Sequence, residues 1–84
     1  MPKYDEFSPI TPGHLLKEEF LVEYGLSQND LARRIGISPN RISDIVANRR
    51  RITADTAVRL GLYFGNSAEF WMNLQSNYDL KLAR

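Results

Sequence analysis

The sequence contains no cysteine. Disulfide staples, thiolate nucleophiles and cysteine metal sites are excluded together, and the absence suits a reducing cytoplasm. Histidine occurs once, at His14. Alone it completes neither a metal-ligand set nor a nucleophile–base pair, so no catalytic residue, metal or cofactor is expected. No stretch approaches the roughly 18 consecutive apolar residues of a membrane span. The opening Met1-Pro2-Lys3-Tyr4-Asp5-Glu6 lacks the apolar run of a signal peptide. Apolar–polar alternation never persists, so no segment reads as a strand. Low-complexity tracts and internal repeats are also missing. The expectation is an all-α chain that is not an enzyme and works in the cytoplasm.

Eighty-four residues make one domain. A chain this short buries only about 60–65% of the surface its unfolded form exposes. Its core must be efficient or shared with a second copy. The net charge of +1 hides an uneven distribution. Residues 1–30 set Lys3 and Lys17 against Asp5, Glu6, Glu18, Glu19, Glu23 and Asp30. Residues 31–60 set Arg33, Arg34, Arg41, Arg49, Arg50, Arg51 and Arg59 against only Asp44 and Asp55. A near-neutral protein can thus present one strongly basic face, and phosphate binding responds to that local field.

Capping residues divide the chain into five helices. Thr11-Pro12 opens the first, over about 12–24, because threonine caps and proline at the first helical position lacks only an orphan N–H. Leu15, Leu16, Phe20 and Leu21 or Val22 form its apolar stripe, and Gly25 ends it. Ser27 caps the second, with Asp30 near the capping-box position, and Gly36 stops it after about eight residues. Ser38-Pro39 starts the third, over about 39–47, and Asn48 ends it. A basic loop, Asn48-Arg49-Arg50-Arg51-Ile52, follows. Thr53 is expected to cap the fourth helix (54–64), with Ala57, Leu60 and Leu62 to Phe64 as apolar material. Ser67 caps the fifth (68–82), which carries Phe70, Trp71, Leu74 and Tyr78. Residues 1–10 read as an N-terminal extension, and residues 11–84 as the domain.

The second and third helices meet the demands of a helix-turn-helix. In that motif one helix crosses the DNA backbone and the next enters the major groove. Ala32 is small where the helices cross, and Gly36 gives the turn a permissive backbone. Leu31, Ile35, Ile37, Ile42 and Ile45 anchor the pair to the core. The third helix then exposes Asn40, Arg41, Ser43, Asp44 and Ala47. Asparagine can bond an adenine edge bidentately, and arginine can do so with guanine or grip phosphate. Asp44 either accepts from a cytosine amino group or orients a neighbouring arginine. Gln28 and Ser38 begin their helices, where free N–H groups favour phosphate. Arg49, Arg50 and Arg51 suit backbone or minor-groove contact better than base reading. Glu18, Glu19 and Glu23 read as a solvated face or the docking surface of a basic partner. Phe70, Trp71, Leu74 and Tyr78 read as core or dimer packing, because they lie at helical spacing and far in sequence from the arginines.

The run Leu26-Ser27-Gln28-Asn29-Asp30-Leu31-Ala32-Arg33-Arg34-Ile35-Gly36-Ile37 resembles the phage-repressor-like helix-turn-helix class. Further segments narrow the resemblance: Thr11-Pro12-Gly13, Leu16-Lys17-Glu18-Glu19-Phe20, Pro39-Asn40-Arg41-Ile42-Ser43, Ile52-Thr53-Ala54-Asp55-Thr56-Ala57, Phe70-Trp71-Met72-Asn73-Leu74-Gln75 and Tyr78-Asp79-Leu80. Together they resemble the HigA/VapI family of antitoxins over about residues 9–80. This resemblance implies a lambda-repressor-like five-helix domain and a homodimer. It implies repression of the protein's own operon through double-stranded DNA carrying an inverted repeat, and neutralisation of a HigB-like mRNA interferase toxin. It places the helix-turn-helix core at Ala32, Gly36, Ile42 and Ile45 and the major-groove surface at Asn40, Arg41 and Ser43. The last helix commonly contributes to the family's dimer. An orphan regulator without a toxin is the alternative.

Overall fold

A computed structural model describes residues 11–84, and the extension expected over residues 1–10 lies outside them. Among the described residues the chain forms five helices joined by short turns. Helix α1 runs over 12–24 as three continuous pieces: Pro12–Leu15, a π-helical stretch Leu16–Leu21, and Val22–Tyr24. Thr11 Oγ1 accepts from the His14 N–H at 3.0 Å and opens it. The π-helical stretch brings residues five apart toward one face. Leu16 and Leu21, so spaced, are both buried. This resolves the apolar stripe: Leu21 points inward and Val22 is 64% exposed.

Helix α2 is Gln28–Ile35 and opens on a full capping box, with Ser27 and Asp30 each bonding the other's backbone N–H. Helix α3 is Pro39–Val46, with Ser38 Oγ accepting from the Arg41 N–H at 3.2 Å. Helix α4 is Ala54–Phe64 and helix α5 is Ala68–Ala83. Two expectations are corrected here. Thr53 has the extended backbone of a cap, but its side chain bonds no backbone N–H; the hydroxyl instead meets Thr56 Oγ1 at 3.4 Å. Leu62, grouped by sequence with the apolar material of α4, is 81% exposed. Four-residue spacing puts it on the face of Val58, which is also exposed, while Ala57, Leu60 and Phe64 turn inward.

One core joins all five helices. Leu16, Leu31, Ile42, Ile45, Ile52, Leu60 and Trp71 are essentially inaccessible, each worth about 1.5–3 kcal/mol of burial for an aliphatic side chain. Trp71 packs on Phe20 with ring centroids 4.8 Å apart, and Phe20 packs on Phe64 at 4.9 Å. Its indole Nε1–H donates to Asn66 Oδ1 at 2.8 Å, so burial leaves no orphan donor. Helix α1 rests on α3 and α5, α2 on α3 and α4, and α4 on α5. The contact of α1 with α3 is very close: a Cβ on Gly13 would lie 1.9 Å from the Ile45 carbonyl oxygen. Only glycine fits there, so the Pro-Gly of the first turn is a packing requirement as well as a helix start.

Candidate nucleic-acid interface

The turn between α2 and α3 is three residues long. Gly36 takes a left-handed conformation at φ 78° and donates its N–H to the Ala32 carbonyl at 2.9 Å; the Ile37 N–H donates to the same oxygen at 3.0 Å. Ala32 is fully buried at the crossing. Leu31, Ile35, Ile42 and Ile45 fill the core beneath the pair, and Ile37 packs against it half-buried. Gly36 itself is exposed, so its role is conformational.

Held this way, α3 presents Asn40 exposed and Arg41, Ser43 and Asp44 partly exposed, with Ala47 exposed at its C-terminal cap. Gln28 sits half-buried at the first position of α2, and exposed Ser38 caps α3. The basic loop follows directly, with Arg49, Arg50 and Arg51 all exposed. Asn48, at φ 62°, makes the sharp exit from α3.

Of the groups that hold these arginines, sequence reasoning offered only Asp44. Arg41 Nη1 lies 3.9 Å from Asp55 Oδ2 on α4, a loose pair. Asp55 also accepts from Arg59 Nε at 3.1 Å. Arg59 in turn donates Nη1 to the Ile35 carbonyl at 2.8 Å, placing a cation on the C-terminal end of α2 beside the turn. Asp44 accepts from Arg49 Nε at 3.1 Å and stands 3.8 Å from Arg50 Nε. It is therefore engaged with arginines of its own chain, the second of the two roles open to it from sequence. Arg51 pairs with Asp79 of α5. Asp79 is held below its ordinary pKa, first by that hydrogen bond from Arg51 and further by one from Gln75. A spacing-based signal existed for Asp55 and Arg59, which are four apart on one helix. None existed for Asp79, which is 28 positions from Arg51 in the sequence.

Trp71 is fully inside the monomer core, and Phe70 and Leu74 pack against that core half-buried. Tyr78 is also half-buried; its hydroxyl accepts from Asn48 Nδ2 at 2.9 Å, which draws it to the basic loop. His14 is exposed, and among the described residues no group of acidic or histidine side chains could hold a metal. No helix among them is long and apolar enough to cross a membrane.

A helical pair joined by a three-residue glycine turn, with a polar second helix and flanking arginines, defines a helix-turn-helix protein, and residues 16–71 match the family described as Helix-turn-helix. The chain is 51% identical over 79 residues to virulence-associated protein I of Dichelobacter nodosus, covering 94% of this chain and 73% of that protein. It is 38% identical to antitoxin HigA-1 of Vibrio cholerae, covering 86% of this chain and 68% of that one. The solved structure of Pseudomonas aeruginosa antitoxin HigA with the higBA promoter superposes with a TM-score of 0.87 at 51% identity, over 90% of this chain and 83% of that chain. Within the helix-turn-helix class, the chain belongs to the HigA antitoxin family.

Proposed function

We propose that this chain is an antitoxin that represses its own operon. Two copies bind an inverted repeat in the promoter, and the protein also binds and neutralises a HigB-like mRNA interferase toxin. The observation that carries the DNA reading is the exposed Asn40-Arg41 face of α3, mounted on a buried Ile42/Ile45 anchor and bordered by Arg49, Arg50 and Arg51. In the major groove, Asn40 suits an adenine edge and Arg41 a guanine edge or a phosphate. Ser43 serves either, and the N–H groups at the starts of α2 and α3, beside Gln28 and Ser38, suit phosphate. The loop arginines supply sequence-independent attraction. The Pseudomonas relative, at 51% identity, is solved with the higBA promoter, which supports promoter binding by this chain.

A single chain is 36 Å in its longest dimension. It carries one candidate recognition helix, whereas an inverted repeat offers two half-sites about 34–36 Å apart, so each half-site takes its own chain. The toxin half of the reading rests on the antitoxin family alone, and the reading puts the protein with DNA in the cytoplasm.

The test is co-purification with the product of the neighbouring gene, followed by promoter binding with and without that product. Expected are a stable complex, rescue of growth on co-expression, and protection of a palindromic site. Promoter binding with no partner and no rescue leaves an orphan regulator. Preference for single-stranded RNA over palindromic duplex overturns the DNA reading.

A further inference from the structure

The segment Gln75…Tyr78-Asp79 belongs to the family pattern, yet neither the core nor the DNA-facing helix accounts for its polar groups. Gln75 is 4% exposed, a polar side chain placed almost wholly inside. Its Oε1 accepts from the Ile52 N–H at 2.9 Å, and its Nε2 donates to Asp79 Oδ1 at 3.1 Å. Both ends of the amide are therefore used, which fixes its orientation. Asp79 spends its other oxygen on Arg51. One position earlier, the Tyr78 hydroxyl accepts from Asn48 Nδ2. Positions 75, 78 and 79 lie one turn apart on a single face of α5. They grip residues 48, 51 and 52, which together span the basic loop. Asp44 of α3 holds the intervening Arg49 and Arg50 from the other side.

We propose that Gln75, Tyr78 and Asp79 are positioning residues: a clasp on α5 that fixes the shape of the 48–52 loop and so sets how its arginines meet the DNA backbone. This rests on the DNA reading above. The loop needs such a device. It contains three adjacent arginines that repel one another, and Asn48 starts it in a left-handed conformation that non-glycine residues rarely adopt. Ile52 closes it as a buried plug, and Gln75 satisfies the Ile52 N–H that this burial takes from water. The clasp also links the last helix to the DNA-facing loop.

The test compares wild type, Asp79→Asn and Tyr78→Phe on promoter duplex and random duplex. Asp79→Asn keeps an acceptor for Gln75 and removes the charge facing Arg51; Tyr78→Phe keeps the ring and removes the hydroxyl. Each is expected to lower operator affinity about three- to tenfold, the worth of one hydrogen bond to a charged or polar group. Random duplex should lose a similar factor, because these arginines meet the backbone of any sequence, and the thermal midpoint at neutral pH should fall by no more than a few degrees. In an Arg51→Ala background, Asp79→Asn should cost nothing further. The Ile52 amide should exchange faster in Gln75→Ala, a readout independent of DNA. Tighter binding of Asp79→Asn to both duplexes would make the carboxylate a competitor for Arg51 and overturn the clasp. An equal loss from Asp79→Asn with and without Arg51→Ala, or unchanged operator affinity in both single variants, would do so too. Failure of wild type to bind its promoter would instead remove the DNA reading itself, and the clasp's role with it.

Discussion

Arg41 is the residue through which local chemistry and function meet most directly. Its backbone N–H closes the cap on Ser38, and its guanidinium stands at the loose distance of 3.9 Å from Asp55. A pair so long and partly exposed is worth at most about 1 kcal/mol, so the DNA contact proposed for this arginine would cost little to make. Arg41→Ala is expected to lower operator affinity and to relax discrimination at one or two base pairs by about 1–3 kcal/mol. Competition binding against base-substituted duplexes checks it; equal losses on specific and random duplex would reassign Arg41 to a phosphate. Arg50→Ala belongs to the other class. It should weaken both duplexes alike and reduce the dependence of log affinity on log salt by about one phosphate contact. An unchanged salt slope would place Arg50 off the DNA. The face carrying Asn40 and Arg41 was legible in the sequence, since its spacing from Ile42 and Ile45 leaves it no other direction. Their acidic partners were not, because Asp55 and Asp79 reach the arginines across helices.

At the level of the elements, two contacts hold the α2–α3 pair in place, and they differ in kind. Gly13 lets α1 approach α3 until a side chain no longer fits. Gly13→Ala would drive a methyl group into the Ile45 backbone. It is expected to destabilise by about 3 kcal/mol, the upper part of the usual overpacking range, measurable by urea unfolding. Wild-type stability in this variant would mean that α1 and α3 separate freely. Arg59 is the second contact, a cation donating to the last carbonyl of α2 beside the turn. Arg59→Ala removes that bond and the partner of Asp55, at a cost of about 1–2 kcal/mol for a charge-assisted hydrogen bond in a partly exposed setting. Chemical denaturation with an unshifted midpoint would show the bond to be incidental. Four of the five caps, Thr11, Ser27, Ser38 and Ser67, were legible because capping is local chemistry: a hydroxyl and an N–H three residues apart. Thr53 is the exception, since its hydroxyl finds Thr56 instead. The π-helical stretch in α1 was not legible, because the choice between Leu21 and Val22 is made by the core they meet.

The whole molecule has a predictable acid response. Asp30 is held below its ordinary value of 3.8, first by the Ser27 backbone N–H, then by the Ser27 hydroxyl and Arg33. Asp79 is lowered by Arg51 and then Gln75. A carboxylate with a lower pKa in the folded state contributes stability that is complete above the unfolded value. That contribution is lost as pH falls through the folded value. The thermal midpoint should therefore fall below about pH 4. In Asp30→Asn/Asp79→Asn that fall should be shallower; an identical acid limb would show that other groups control it. At the same scale, a solution mass of one chain at micromolar concentration would count against binding as a preformed pair.

By itself the sequence determined the five helices, the glycine turn, the polar face of α3 and the concentration of arginine after it. Each depends on residues within about one or two helical turns of one another, where backbone geometry leaves few choices. Only the tertiary structure decided which side chains hold that surface. Gly13 meets Ile45, Arg59 meets Ile35, and Gln75, Tyr78 and Asp79 meet the loop at 48–52. These contacts join positions more than twenty residues apart, and the order of residues along a chain carries no distance until the core has folded. The polar face of α3 was thus readable from its own residues, whereas the framework that holds it was not.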